Sequence, residues 1–105
     1  MDVLHRIKWL PVRGRYRLTR KAVLELHGDA LDPEDAVEAI LNAQAIKKTL
    51  RSRYPIKGTR HEKLYVIESF NYRGTLIYTK GKFARQAGEE FYYLLISSKI
   101  STFGD

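Results

Sequence analysis

The 105-residue sequence predicts an α+β domain, with N-terminal helices packed on one face of a C-terminal antiparallel sheet of at least four strands. Before position 44, apolar residues recur at helical spacing behind capping residues. After position 62, three runs are rich in aromatic and β-branched residues. The segments between those runs are short and end in glycine, so they read as hairpins. With no repeat, linker or low-complexity tract, residues 1–105 form one domain.

Val3, Leu4, Ile7 and Leu10 lie at helical spacing, and Pro11 ends that first element. Residues 13–17 form a basic connection that can hold a short strand. Thr19 is the N-cap of a second helix through about His27, with Ala22, Val23 and Leu26 inward and Gly28 as its stop. The third helix has the clearest start: Asp32 as N-cap, Pro33 at the first helical position, and Glu34 and Asp35 at the positive end of the dipole. Its buried stripe is expected to be Val37, Ile40 and Leu41, its acids solvated, and its end near Ala43.

Residues 45–50 read as a strand and residues 51–60 as an exposed basic loop. The meander follows over residues 63–70, 75–83 and 91–99. If Asn71 faces Gly74 and Arg85 faces Gly88 across two-residue loops, one sheet face carries Tyr65, Tyr78, Lys80, Tyr93, Ser97 and Lys99. The opposite face then carries Leu64, Val66, Phe70, Ile77, Phe83, Leu94 and Ile96, with Glu68 as its one misplaced charge. The first set is a basic, aromatic working surface and the second a core.

The formal charge is +7, unevenly distributed. Residues 1–21 hold seven Lys/Arg against Asp2, and residues 44–63 hold seven against Glu62, whereas residues 22–43 hold six acids and no Lys/Arg. That distribution suits a polyanionic partner, although basic domains also arise for solubility alone. The absence of Cys excludes disulfides, zinc ribbons and thiol catalysis. No run has the length of a signal peptide or membrane span, so the cytoplasm is the expected location and no membrane contact is expected.

Gly81-Lys82 lacks the upstream glycine and following Ser/Thr of a phosphate loop. His5, His27 and His61 show no metal-ligand spacing, and Ser97 and Ser98 lack a nucleophile elbow. No metal site and no other cofactor are expected. What remains is Lys, Arg, Tyr and a few carboxylates on one side of a sheet. Such a set can cleave RNA: a base takes the ribose 2′-OH proton, cations stabilise phosphoryl charge, and an acid protonates the departing 5′-oxygen. Each residue also has an ordinary reading, with Tyr78 as a packing residue, Lys99 as a charge guarding an apolar strand, and Lys47 and Lys48 as a solvated pair.

The segments 16–22, 31–40, 46–50, 61–65, 76–80 and 95–99 follow the order of those in MqsR-type toxins, bacterial endoribonucleases with a RelE-like fold. The chain resembles that family, and a wider group of small RelE-like domains, from about Tyr16 to Lys99. The resemblance implies that Lys48, Tyr78 and Lys99 are catalytic, with Glu62 standing where the family has glutamine and acting as base or orienting group. Lys48 and Lys99 would then stabilise phosphoryl charge, Lys80, Arg51 and Arg53 would hold the RNA backbone beside Lys47, and Tyr65 and Tyr93 would stack on bases. It further implies an RNA substrate and a cognate antitoxin, of zinc-finger type in some relatives, and leaves a homodimer open. The rivals are a non-catalytic RNA- or protein-binding module of the same fold and a toxin with another target, such as gyrase.

Overall fold

The computed structural model describes residues 2–57, 60–85 and 91–102, except for the side chains of residues 53–57, 60 and 61. Over these residues the order is α1 (Val3–Val12), β1 (Tyr16–Leu18), α2 (Arg20–Gly28), α3 (Pro33–Asn42), β2 (Lys48–Lys57), β3 (Arg60–Phe70), β4 (Leu76–Arg85) and β5 (Phe91–Ile100). The strands form one mixed sheet in the order β1-β5-β4-β3-β2, antiparallel except for the β1–β5 pair. The expected α+β architecture is therefore present, with β1 adding a fifth strand.

The helices start where their caps require. Asp2, Thr19 and Asp32 each accept a backbone N–H from the following turn, and Asp35 completes a capping box by accepting from the Asp32 N–H at 3.0 Å. Helix α1 runs through Pro11 to Val12, because a proline in the last turn still permits Arg13 to close the helix onto Trp9 and Leu10. On α3 the buried stripe is Asp35, Ala36, Ala39 and Ile40, with Val37 and Leu41 half-buried. That rotation corrects the expected stripe. Small alanines let the helix approach the sheet, and they bring one acid inward with them.

This acid is Asp35, only 3 % exposed. Its Oδ1 accepts from Asn71 Nδ2 at 2.9 Å and from an Arg73 guanidinium nitrogen at 3.1 Å, so it ties α3 to the β3–β4 turn. Burial pushes the Asp35 carboxyl up, but the Asp32 N–H, Asn71 and Arg73 outweigh it and hold the group below its ordinary range.

The core lies between α1, α3 and one face of the sheet, and joins Ile7, Leu10, Leu26, Ala36, Ala39 and Ile40 to Tyr65, Ile67, Ile77, Tyr93 and Leu95. Phe83 sits edge-on between Tyr65 and Tyr93, with ring centroids at 5.7 and 5.8 Å. Helix α2 instead follows the edge of β5 beyond β1, where Glu25 accepts from the Ser98 N–H and Asp29 from the Ile100 N–H. Those contacts satisfy an edge that would otherwise be bare.

Two irregularities set which side chains share a face. The β3–β4 connection closes between Asn71 and Thr75, not Asn71 and Gly74, with Gly74 at φ +86° and the Asn71 Oδ1 accepting from the Arg73 and Thr75 N–H groups. This three-residue loop moves the register by one residue from that of a two-residue loop, so Ile67 pairs with Thr79 and Glu68 with Tyr78. Between Lys80 and Gly81 the β4–β5 pairing contains a bulge, with Lys80 opposite Ser97 but Gly81 opposite Leu95. Ile96 is the extra residue, and its carbonyl accepts from the Thr19 hydroxyl at 2.9 Å.

The expected faces are corrected accordingly. Tyr65 and Tyr93 turn into the core, where Tyr93 is fully buried and Tyr65 is 8 % exposed. Leu64, Val66, Phe70 and Leu94 turn to the other face, as Glu68 does, while Ile77 and Phe83 stay on the core side. The exposed loop expected over residues 51–60 is also revised. The backbone of β2 continues to Lys57 and pairs irregularly with β3 beyond Arg51, with Pro55, a residue tolerated on an outer strand, opposite His61.

Candidate functional site

The uncovered face of the sheet is a lattice of rows. Adjacent strands lie about 4.8 Å apart, and same-face residues recur about every 6.7 Å along each strand. One row crosses three strands: Glu68 on β3, Tyr78 on β4 and Lys99 on β5, each directly opposite the next. The neighbouring row is Lys48, Val66, Lys80 and Ser97. Val66 is fully buried although it lies on this face, with Lys48 opposite it on one side and Lys80 on the other.

The first row brings together a carboxylate, a phenol and an ammonium. Lys99 Nζ lies 5.5 Å from the centroid of the Tyr78 ring, within cation–π range. On the other side, Glu68 Oε1 accepts from Lys47 Nζ at 2.8 Å and Oε2 accepts from the Ser101 hydroxyl. Glu25 reaches the rim from α2, where its Oε1 accepts from the Ser97 hydroxyl at 2.8 Å. Desolvation raises the Tyr78 pKa, and the carboxylates of Glu25 and Glu68 add to that rise while Lys47 opposes it. The phenol therefore keeps its proton throughout the neutral range, where it has a proton to give and is not a phenolate.

The expected site residues do not all come together. Tyr78 and Lys99 are cross-strand neighbours, with Lys80 and Lys48 in the next row and Lys47 on the Glu68 carboxylate. Glu62 stands apart. It pairs with Lys82 at 2.5 Å and lies six positions before Glu68, roughly 20 Å along the strand, too far to serve the same atom as Tyr78. Arg51 is exposed on β2, opposite Lys63, on the side of the sheet that Tyr65 shares. Tyr65 and Tyr93 are enclosed in the core and present no ring for stacking. The Arg53 side chain lies outside the described residues.

Sequence reasoning missed Glu68, Glu25 and Ser101. The signal for Glu68 was present: asparagine opening a turn that closes on glycine is the pattern of a three-residue hairpin, and that register puts Glu68 beside Tyr78. Glu25 and Ser101 had no such signal, since only the packing of α2 and the end of β5 bring them to the face. Among the described residues, no group of His, Asp and Glu could hold a metal ion, and no helix is long and apolar enough to cross a membrane.

No protein-family model matches the chain, and no curated protein or solved structure matches it either.

Proposed function

We propose that the uncovered sheet face binds single-stranded RNA and cleaves it without a metal, as a cytoplasmic endoribonuclease toxin neutralised by a cognate antitoxin. The supporting observation is the Glu68–Tyr78–Lys99 row, flanked by Lys80 and Lys48. The toxin setting and the antitoxin rest on the resemblance to MqsR-type and RelE-like proteins, and the cytoplasmic location on the sequence, in which no run reads as a signal peptide or membrane span. The chemistry rests on the residues.

Glu68 takes the proton of a ribose 2′-OH as that oxygen attacks the adjacent phosphorus. Lys99 and Lys80 stabilise the charge that builds on the non-bridging oxygens. Tyr78 gives its proton to the 5′-oxygen as the P–O5′ bond breaks, leaving a 2′,3′-cyclic phosphate and a free 5′-hydroxyl. Proton transfer from protonated Glu68, through solvent, restores the phenol. In this scheme Glu68 replaces Glu62 as base, because it is the carboxylate directly across from the phenol.

A second reading has its own observation. Both oxygens of Glu68 already accept hydrogen bonds, from Lys47 and Ser101, which favours a structural carboxylate in a module that grips RNA and leaves it intact. One experiment separates the two: purified protein is incubated with single-stranded RNA in the presence of a chelator, and the ends are mapped. Cleavage to cyclic phosphates is expected, slowed about a hundredfold by Glu68→Gln or Lys99→Ala. Salt-sensitive binding with no product would favour the module instead, and parent rates in both variants would remove these roles.

A further inference from the structure

Strand β2 begins at Lys48, opposite Val66, so among the described residues the outer flank of β3 beyond that point has no strand beside it. The connection after α3 runs there instead, joined to β3 by the Lys47 N–H on the Val66 carbonyl at 2.8 Å and by Asn42 Nδ2 on the Phe70 carbonyl at 2.8 Å. Between the connection and the strand lies an open depression of about 520 Å³, lined by Asn42, Gln44, Ala45, Lys47, Glu68, Ser69 and Phe70. Its volume is in the range of small-ligand sites.

We infer that this depression is a subsite for one unpaired nucleobase, that of the nucleotide next to the scissile phosphate. The inference rests on the nuclease reading for its place in the reaction, since Glu68 belongs to both the depression and the Glu68–Tyr78–Lys99 row. A phosphate held over Tyr78 and Lys99 leaves an adjoining base within reach of the depression on the other side of Glu68. The lining supplies what base recognition needs. Phe70 is 54 % exposed and offers an aromatic surface for stacking, Ala45 adds apolar wall, and exposed Gln44 carries an amide with one donor end and one acceptor end. Such an amide matches a base edge, whereas the lysines of the sheet face read only phosphate. Phe70 is thereby a binding residue and Gln44 the residue that sets sequence preference.

The test uses the full-length protein, 15N-labelled and titrated with each of the four nucleoside 5′-monophosphates and, separately, with inorganic phosphate. Shifts are expected at Gln44, Ser69 and Phe70 with the nucleotides but not with phosphate, and their apparent affinities should differ among the four bases. Gln44→Ala should narrow that difference about tenfold, and Phe70→Ala should weaken all four by about tenfold. Shifts confined to the lysines and reproduced by phosphate alone would overturn the subsite. RNA end-mapping with Gln44→Ala separates the two readings. Relaxed base preference among the cuts that the variant makes supports the subsite, and unchanged preference overturns it. Base-dependent shifts in a protein that cuts no RNA would retire the nuclease and keep the subsite.

Discussion

Tyr93 and Tyr78 lie on neighbouring strands of one sheet, yet they face opposite environments. Tyr93 is enclosed by the helices, and the edge of its ring lies so close to the backbone of β4 that a Cβ on Gly81 would sit 2.6 Å from it. Its hydroxyl is buried without a partner among the described residues, and burial, with Tyr65 beside it, pushes the phenol far above its ordinary range. Tyr78 has a carboxylate on one side and an ammonium on the other and keeps contact with solvent. The same side chain is a filler of volume on one face and, in the proposed reaction, a proton donor on the other. Environment assigns the role, and a residue inventory cannot.

The comparison is open to test by substitution, and the largest effect belongs to the covered face. Tyr93→Ala should cost about 4 kcal/mol in urea denaturation, as expected for a large aromatic removed from a packed core. Tyr93→Phe should instead be neutral or stabilising, since it deletes a buried hydroxyl that has no partner. Equal losses from both would mean that the hydroxyl is satisfied after all.

Tyr78→Phe should do the reverse. RNA cleavage is expected to fall about a hundredfold, while the denaturation midpoint stays within about 0.5 kcal/mol of the parent. A large loss of stability would make Tyr78 a packing residue like Tyr93.

Asp35 is a third case, a charge on the covered side. Its folded-state pKa lies below the unfolded value, so its stabilisation is complete above the unfolded pKa and is lost as pH falls through the folded one. Thermal melts from pH 7 down to pH 2 should show this acid sensitivity, and Asp35→Asn should flatten it at a cost of about 2 kcal/mol near neutrality. Identical pH profiles for parent and variant would exclude the role. The smallest effect is expected from Glu62→Gln, which removes a partly exposed ion pair with Lys82. A loss below about 1 kcal/mol and an unchanged cleavage rate should follow. A slowed rate would return Glu62 to the reaction.

The elements were legible in the sequence because their signals are local. Asp32 with Pro33, Thr19 before an apolar stripe, and the β-branched runs after Glu62 each act within a few residues. The faces were less legible because they depend on counting residues through turns. A loop of three residues, not two, moved Tyr65 and Glu68 to opposite sides from those expected. Tyr78 and Lys99 were expected together and lie together because the expected and observed pairings of β4 with the end of β5 differ by an even number of residues. The inward turn of Asp35 was unreadable, since it depends on how closely Ala36 and Ala39 let α3 approach the sheet.

Ile96 gives β5 two reading frames. Before it, odd-numbered positions such as Tyr93 and Leu95 point toward the helices, and after it odd-numbered positions such as Ser97 and Lys99 point away. Excising that one isoleucine would merge the frames, sending a lysine and a serine indoors or forcing Tyr93 and Leu95 out. A shortened chain of this kind should fold poorly or present a sheet surface stripped of its final ammonium. One unpaired position in a strand thus lets ten residues supply both the interior and the exterior of the molecule.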